Sequence, residues 1–180
     1  MSQRANRLLL EYLDLLKGVD STLPVLDLAC GFGRNGLVLA EQGVSVVFAD
    51  RSGADLSVIE KQLKEFDLPG HIWQVDLEQK GANPLAGQHF SAVLVFNYLH
   101  RPLFAALRDA VIPGGLVIYE TFTIQQPRFG RPKNQDFLLE PGELKATFQG
   151  WDIVHNFEGI ALNPDRAVAQ IVAMKSAADL

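Results

Sequence analysis

The sequence is poor in cysteine. Cys30 is the only one, which excludes a disulfide framework and any cysteine-built zinc centre and fits a reducing compartment. No uninterrupted apolar run approaches the ~18 residues that a membrane span needs. The first residues, Met1-Ser2-Gln3-Arg4, run into an amphipathic stretch with no signal-peptide apolar core. Positive charge is in the minority, with 16 Lys and Arg against 21 Asp and Glu and a net charge of −5. That balance disfavours a dedicated nucleic-acid or anionic-membrane binder, although it leaves room for a local basic patch. The histidines, His71, His89, His100 and His155, are scattered and lack the spacing of a metal site. Internal repeats and low-complexity tracts are absent too. The expectation from these absences is a soluble cytoplasmic protein.

What is present is ordinary globular material. Hydrophobic residues make up 48% and charged residues 21% of 180, so the chain can bury a core without staples. The length corresponds to one domain, residues 1–180, with no linker along it. Leu9, Leu13 and Leu16 recur at helical spacing, as do Leu8, Tyr12 and Leu15, and predict an N-terminal helix over residues 1–18. Beyond it, short β-rich runs alternate with helical patterns. Strands are expected at 24–28, 44–49, 71–75, 90–96 and 116–121, with helices at 35–42, from a Ser52 cap onward, and at 102–110. In the helix after Ser52, Leu56, Ile59, Leu63 and Phe66 form one apolar stripe. The fold class is α/β, a doubly wound sheet of about seven strands, mostly parallel. A short helix near 142–148 precedes two closing β runs, 151–157 and 167–174, which have no helix between them and so pair antiparallel.

The most informative segment is Val25-Leu26-Asp27-Leu28-Ala29-Cys30-Gly31-Phe32-Gly33-Arg34-Asn35-Gly36. Residues 31–36 satisfy G-x-G-x-x-G between a strand and a helix, where glycines allow close ligand approach and helix N–H groups face outward. The same glycines also serve a sharp turn for steric reasons alone. Asp27 separates the possible ligands. A carboxylate beside a pyrophosphate is repulsive, whereas one beside an ammonium or sulfonium is attractive. The alternative role for Asp27 is to cap backbone N–H groups, and the two roles are compatible. Asp50 ends the second strand, where a carboxylate can take both hydroxyls of a ribose, and Asp76 ends the third, in reach of a nucleoside base. Each could singly be a turn residue. Together they mark the carboxyl edge, where open α/β sheets bind ligands.

These residues, with Val75-Asp76-Leu77 and Pro113-Gly114-Gly115, resemble the class I S-adenosylmethionine-dependent methyltransferases, over residues 23–174. Gly33-Arg34-Asn35-Gly36-Leu37 also looks like the small bacterial tellurite-resistance-like group. The resemblance implies a Rossmann-like sheet with an antiparallel last strand and S-adenosyl-L-methionine as cofactor. It implies that Asp27 and the loop from Gly31 to Gly33 and Asn35 hold the methionine portion, with Ala29 where the family has a glycine. Asp50 would take the ribose, Arg51 would lie beside the adenine, Asp76 would accept from its amino group, and Leu77 would pack on the ring. Phe96 and Asn97 would lie near the sulfonium, where an aromatic face adds cation–π attraction; simple core packing is the other role for Phe96.

For chemistry, the cluster after the fourth strand offers His100 as general base, with Tyr98 and Arg101 as positioners; His100 could equally be a capping or surface residue. Asn97-Tyr98-Leu99 departs from the Asp/Asn-Pro-Pro-Tyr/Phe pattern used on amino groups. The segment 122–140 has no periodicity and carries Arg128, Phe129, Arg131 and Lys133. It is expected to be a lid over an anionic or polar acceptor, or else a solvated loop. The resulting expectation is methyl transfer to a small-molecule acceptor by in-line displacement. The alternatives are an RNA or protein methyltransferase working with a partner subunit, and a non-catalytic cofactor-binding scaffold. A nicotinamide dehydrogenase is disfavoured by Asp27.

Overall fold

The computed structural model describes residues 5–20 and 22–176. The first four residues of the expected 1–18 helix lie outside them. The rest of that helix is divided into α1 (Arg7–Glu11) and α2 (Leu13–Lys17) at Tyr12, whose φ of −112° leaves helical geometry. Asn6 caps α1, its side chain accepting the Leu8 N–H.

Next come β1 (Val25–Leu28), α3 (Gly36–Ala40), β2 (Val46–Asp50), α4 (Gly53–Glu65), β3 (Gly70–Gln74) and β4 (Phe90–Phe96). A 3-10 turn at Arg101–Leu103 leads into α5 (Phe104–Ala110) and β5 (Val111–Phe122). The chain closes with α6 (Glu143–Thr147), β6 (Asp152–Ala161) and β7 (Arg166–Met174). All seven strands form one sheet in the order β3-β2-β1-β4-β5-β7-β6. β1 pairs in parallel with β2 and β4, β2 with β3, and β4 with β5, while β7 is antiparallel to both β5 and β6. The expected doubly wound, mostly parallel sheet with an antiparallel last strand is what the chain forms.

Layering follows from strand alternation. Every residue of β4 is buried, as suits a central strand covered on both faces. Val93 and Val95 face one core with Val117, Tyr119 and Ile171, whereas Ala92, Leu94 and Phe96 face the other with Phe48, Ile59 and Ile118. The N-terminal helices cover the second face through Leu8, Leu9 and Leu16.

Several expectations need correction. The helix at 35–42 is shorter, Gly36–Ala40. Ser52 caps α4 as expected, and Leu56, Ile59 and Leu63 are buried, but Phe66 is 62% exposed. It stands at the C-cap with φ −106°, past the last helical turn, so the phase of the stripe no longer holds there. Pro102 opens a 3-10 turn before the helix proper. The strand expected at 116–121 begins earlier, at Val111, so that Pro113-Gly114-Gly115 lies within it, with a register shift between Phe90 and Ala92 of β4. The segment 122–140 is not structureless: it holds 3-10 turns at Gln126–Arg128 and Gln135–Phe137, and Leu138 and Leu139 are buried.

Candidate functional site

The order β2-β1-β4 places the reversal of winding between β1 and β4, and the crevice at their carboxyl ends is where doubly wound sheets take ligands. The loop leaving β1 is shaped by its glycines for different reasons. A Cβ on Gly33 would stand 2.7 Å from Ile59 Cδ1, and one on Gly36 would stand 2.5 Å from Phe48 Cε1, so both are required by packing. Gly31 has φ +54° and open space where a Cβ would be. It presents bare backbone to the crevice.

Asp50 sets this loop. One carboxylate oxygen accepts the Gly31 N–H at 2.8 Å and the other accepts the Ser52 N–H at 2.9 Å. The end of β2 is thus tied to the loop after β1. Asp27 is 2% exposed and accepts the Gly36 N–H at 2.8 Å, at the start of α3. Burial pushes its carboxyl up to about 7, against the opposing effects of that hydrogen bond and the Arg34 charge. Burial also pushes the Cys30 thiol up, with the Asp27 and Asp50 charges adding to the effect, so it is held neutral.

Three cavities meet here. One, of about 270 Å³, is lined by Ala29, Asp50, Arg51, Asp76, Leu77, Asn97 and Tyr98, together with Val75 and Glu78. A second, of about 260 Å³, is lined by Asp27, Ala29, Gly31, Asn35, Phe96 and Asn97 among others. The third and outermost, of about 440 Å³, is bounded by Glu78, Asn97, Tyr98, Leu99, Phe122, Arg131, Pro132 and Phe137. Asn97 lines all three, in a left-handed conformation (φ 56°) that asparagine tolerates well. Its N–H donates to the Glu120 carbonyl at 2.9 Å.

The sequence-predicted residues therefore separate. Those expected around a cofactor gather in the first two cavities, except Gly33, which is buried in packing. Tyr98 lines the first and third; its hydroxyl is buried with no hydrogen-bond partner, and burial raises its pKa further above the ordinary phenol value, as does the nearby Glu78 charge. His100 lines none of the three, and its side chain caps nothing. Arg101 turns toward α6. It donates to the two carboxylate oxygens of Glu143 at 2.6 and 2.8 Å and to the carbonyls of Asp136 and Leu138 at 3.1 and 2.8 Å. The hydrogen bonds it donates to Glu143 raise the Arg101 pKa. Burial works against the Glu143 carboxylate, but Arg101 and the Glu140 N–H outweigh it and hold its carboxyl below the usual range. Of the four loop residues singled out, Arg128, Phe129, Arg131 and Lys133, Arg131 alone lines the outer cavity, while Arg128 lies 5.9 Å over the Phe129 ring.

Two polar clusters were missed by reading the sequence. Glu120, 1% exposed, accepts from Asn6 Nδ2 at 2.7 Å, Arg166 Nη1 at 3.0 Å and Gln170 Nε2 at 2.6 Å. Asn6 also donates its backbone N–H to Asn35 Oδ1 at 2.8 Å, so the cluster reaches the wall of the second cavity. Gln126, 4% exposed, donates to the Arg131 carbonyl at 3.0 Å and accepts the Ala167 N–H at 2.9 Å. A carboxylate within an apolar strand run is the one available signal for Glu120; nothing local marks Gln126. Among the described residues, no three His, Cys, Asp or Glu gather as metal ligands, and no helix is long and apolar enough to cross a membrane.

Residues 25–115 match a family model described as "Methyltransferase domain". No curated protein matches the chain. Among solved structures, the fold is similar to TehB from Haemophilus influenzae, with a TM-score of 0.74 at 20% identity, covering 92% of this chain and 62% of TehB. It is also similar to magnesium protoporphyrin IX methyltransferase (ChlM) from Synechocystis PCC 6803 with bound SAH: TM-score 0.69, 16% identity, 93% of this chain and 80% of that one. A third is the 16S rRNA N2 G1207 methyltransferase RsmC of T. thermophilus, at TM-score 0.62 and 20% identity, covering 93% of this chain and 42% of RsmC. The chain thus spans less than two thirds of TehB.

Proposed function

The chain belongs to the methyltransferase-domain family, and we propose that it transfers a methyl group from S-adenosylmethionine to a small-molecule acceptor. The observation that carries this reading is the meeting of two inner cavities and one outer cavity at Asn97, with acids on the inner walls. The residues present fit the cofactor. Open space at Gly31 leaves its backbone free for close approach, and Asp27 supplies a buried countercharge for a cationic ligand. Each Asp50 oxygen has one backbone donor and a further lone pair to offer to a hydroxyl.

Asp27, Ala29, Gly31, Asn35, Phe96 and Asn97 would hold the methionine portion, and Asp50, Arg51, Asp76 and Leu77 the nucleoside. When bound, S-adenosylmethionine supplies an electrophilic methyl group on a sulfonium. The protein's part is alignment, which in favourable geometry accounts for most of such an acceleration. Tyr98 and Asn97 form the wall shared by the inner and outer cavities and so orient what enters from either side. Because His100 lines none of the three cavities, its proposed role as proton acceptor would run through an intervening water, and Arg101 acts through the loop it ties to Glu143. The small-molecule class is supported by an outer cavity of about 440 Å³, within the ordinary size of small-ligand sites. A narrower kinship with the tellurite-resistance-like group is supported by the residue run 33–37 and the fold shared with TehB. A cytoplasmic setting belongs to the same proposal, supported by Cys30 being a free thiol.

Calorimetric titration with S-adenosylmethionine and, separately, NAD tests the cofactor. S-adenosylmethionine is expected to bind and NAD is not; binding of NAD alone would sink the proposal. Transfer of labelled methyl to thiols, amines, carboxylates, tRNA or lysate protein then separates an enzyme from a scaffold, and separates acceptor classes from one another.

A further inference from the structure

The walls of the outer cavity change in chemistry from one end to the other. Glu78, Asn97 and Tyr98 belong both to it and to the inner cavity that holds Asp50 and Asp76. The far side is apolar, with Leu99, Phe122, Pro132 and Phe137, and it carries one cation, Arg131. The Arg131 guanidinium forms no ion pair and no hydrogen bond among the described residues. Its backbone, by contrast, is fixed. The buried Gln126 amide bridges the Arg131 carbonyl and the Ala167 N–H of β7, and Arg101 ties the Asp136 and Leu138 carbonyls on either side of Phe137 to Glu143. An exposed charged side chain is thus carried beside the apolar residues of the cavity on a fixed backbone, with no partner among the described residues. The Glu78 carboxylate, which also lines the cavity, disfavours an anion beside it.

We propose that the outer cavity takes an acceptor built of a compact apolar body and one anionic group, a carboxylate or a phosphate. The anion pairs with Arg131, and the opposite end lies against the Asn97–Tyr98 wall. This inference rests on the methyltransferase reading of the inner cavities. It assigns Arg131, rather than Arg128 or Phe129, as the residue that selects the acceptor.

The test uses the full chain saturated with S-adenosylhomocysteine and pairs of probes that differ only in charge. These are 4-hydroxyphenylacetate against its amide, indole-3-acetate against its amide, and octanoate against octanamide, with phenyl phosphate and a short RNA hairpin as further arms. In at least one pair the acid is expected to bind about tenfold or more tightly than the amide. Arg131→Gln should erase that preference and Arg131→Lys should retain part of it, both with unchanged affinity for S-adenosylhomocysteine, which also reports folding. A tenfold preference for phenyl phosphate over every acid would name phosphate as the anion. Equal binding of acids, phenyl phosphate and amides overturns the inference, as does a preference that survives in Arg131→Gln. An Arg131-dependent affinity for the hairpin without one for any small anion overturns it in favour of nucleic acid. Failure of the unmodified protein to bind S-adenosylhomocysteine removes the cofactor reading as well. Retained binding without charge discrimination removes only the present inference.

Discussion

Asn6 and Glu120 stand 114 positions apart in sequence and are joined by a 2.7 Å hydrogen bond that closes the N-terminal segment onto the end of β5. The same Asn6 caps α1 and donates its backbone N–H to Asn35. Asn6→Ala removes a cap and leaves a buried carboxylate one donor short, so a loss of about 1–3 kcal/mol in unfolding free energy is expected. Glu120→Gln leaves Arg166 without its countercharge and sets an amide donor against Gln170, and about 2–4 kcal/mol should go. Urea titrations check both, and wild-type midpoints would show that the cluster carries no stability.

Asp27 predicts two opposite pH dependences. Its carboxyl, pushed up to about 7 in the folded chain, takes up a proton that the unfolded chain releases near 3.8. The folded state binds more protons between those values, so stability without ligand should fall as pH rises from about 4 to 7. Affinity for S-adenosylmethionine should rise over the upper part of that range, as the carboxylate becomes available to a cation. Asp27→Asn should flatten both curves. Calorimetry and thermal melts from pH 5 to 8.5 check this; an affinity that ignores pH in the unmodified protein contradicts the assigned role.

Asp50→Ala frees the Gly31 and Ser52 N–H groups as well as emptying the expected ribose position. Affinity for S-adenosylhomocysteine should fall about tenfold to a hundredfold, from the loss of charge-assisted hydrogen bonds. Unchanged affinity in a folded variant would mean that the site has been misplaced.

Glycines a few residues apart should fail in different ways. Gly36→Ala drives a methyl into Phe48 and the Asp27 carboxylate, 2.5 and 2.8 Å away, and should cost about 1–3 kcal/mol of stability. Gly31→Ala meets nothing within the protein and pays only for its positive φ, about 1–2 kcal/mol. Its larger effect should be on cofactor affinity, because the new methyl occupies the crevice. Melting temperature and binding constants, measured on both variants, separate the two outcomes.

Arg101→Ala unties the loop around Phe137 without touching the inner cavities. Cofactor affinity should hold while KM for any acceptor rises by about tenfold. An equal loss of both would place Arg101 nearer the cofactor than its contacts with Glu143 indicate.

The parts of this molecule that could be read from the sequence are those whose signals are local. Asp27 stands out as a charge inside the apolar run of β1 and Asp50 as the acid that ends β2, and β4 is read to its ends because a fully buried strand is one unbroken apolar run. The order of the strands is not local information, nor is the pairing of Glu120 with Gln170 across β5 and β7. Gln126 looks like any loop glutamine until the register of β7 brings Ala167 beneath it. Arg101 was legible as a charge near the edge, but its partner lies 42 residues on, and no spacing rule links them. Phe66 failed for a simpler reason: periodicity does not say where a helix stops.

The walls of the cavities also divide along the chain. Every residue named on the two inner cavities comes from positions 27–98, inside the stretch matched by the family model, whereas the roof of the outer cavity comes from Phe122, Arg131, Pro132 and Phe137. That roof is held to β7 through Gln126, and through Arg101 to α6 and to the turn that follows β4. On the proposed reading, donor and recipient would therefore be held by largely separate stretches of one polypeptide. Drift in the later stretch would then trade one recipient for another while the earlier stretch, and the proposed reaction, is inherited intact.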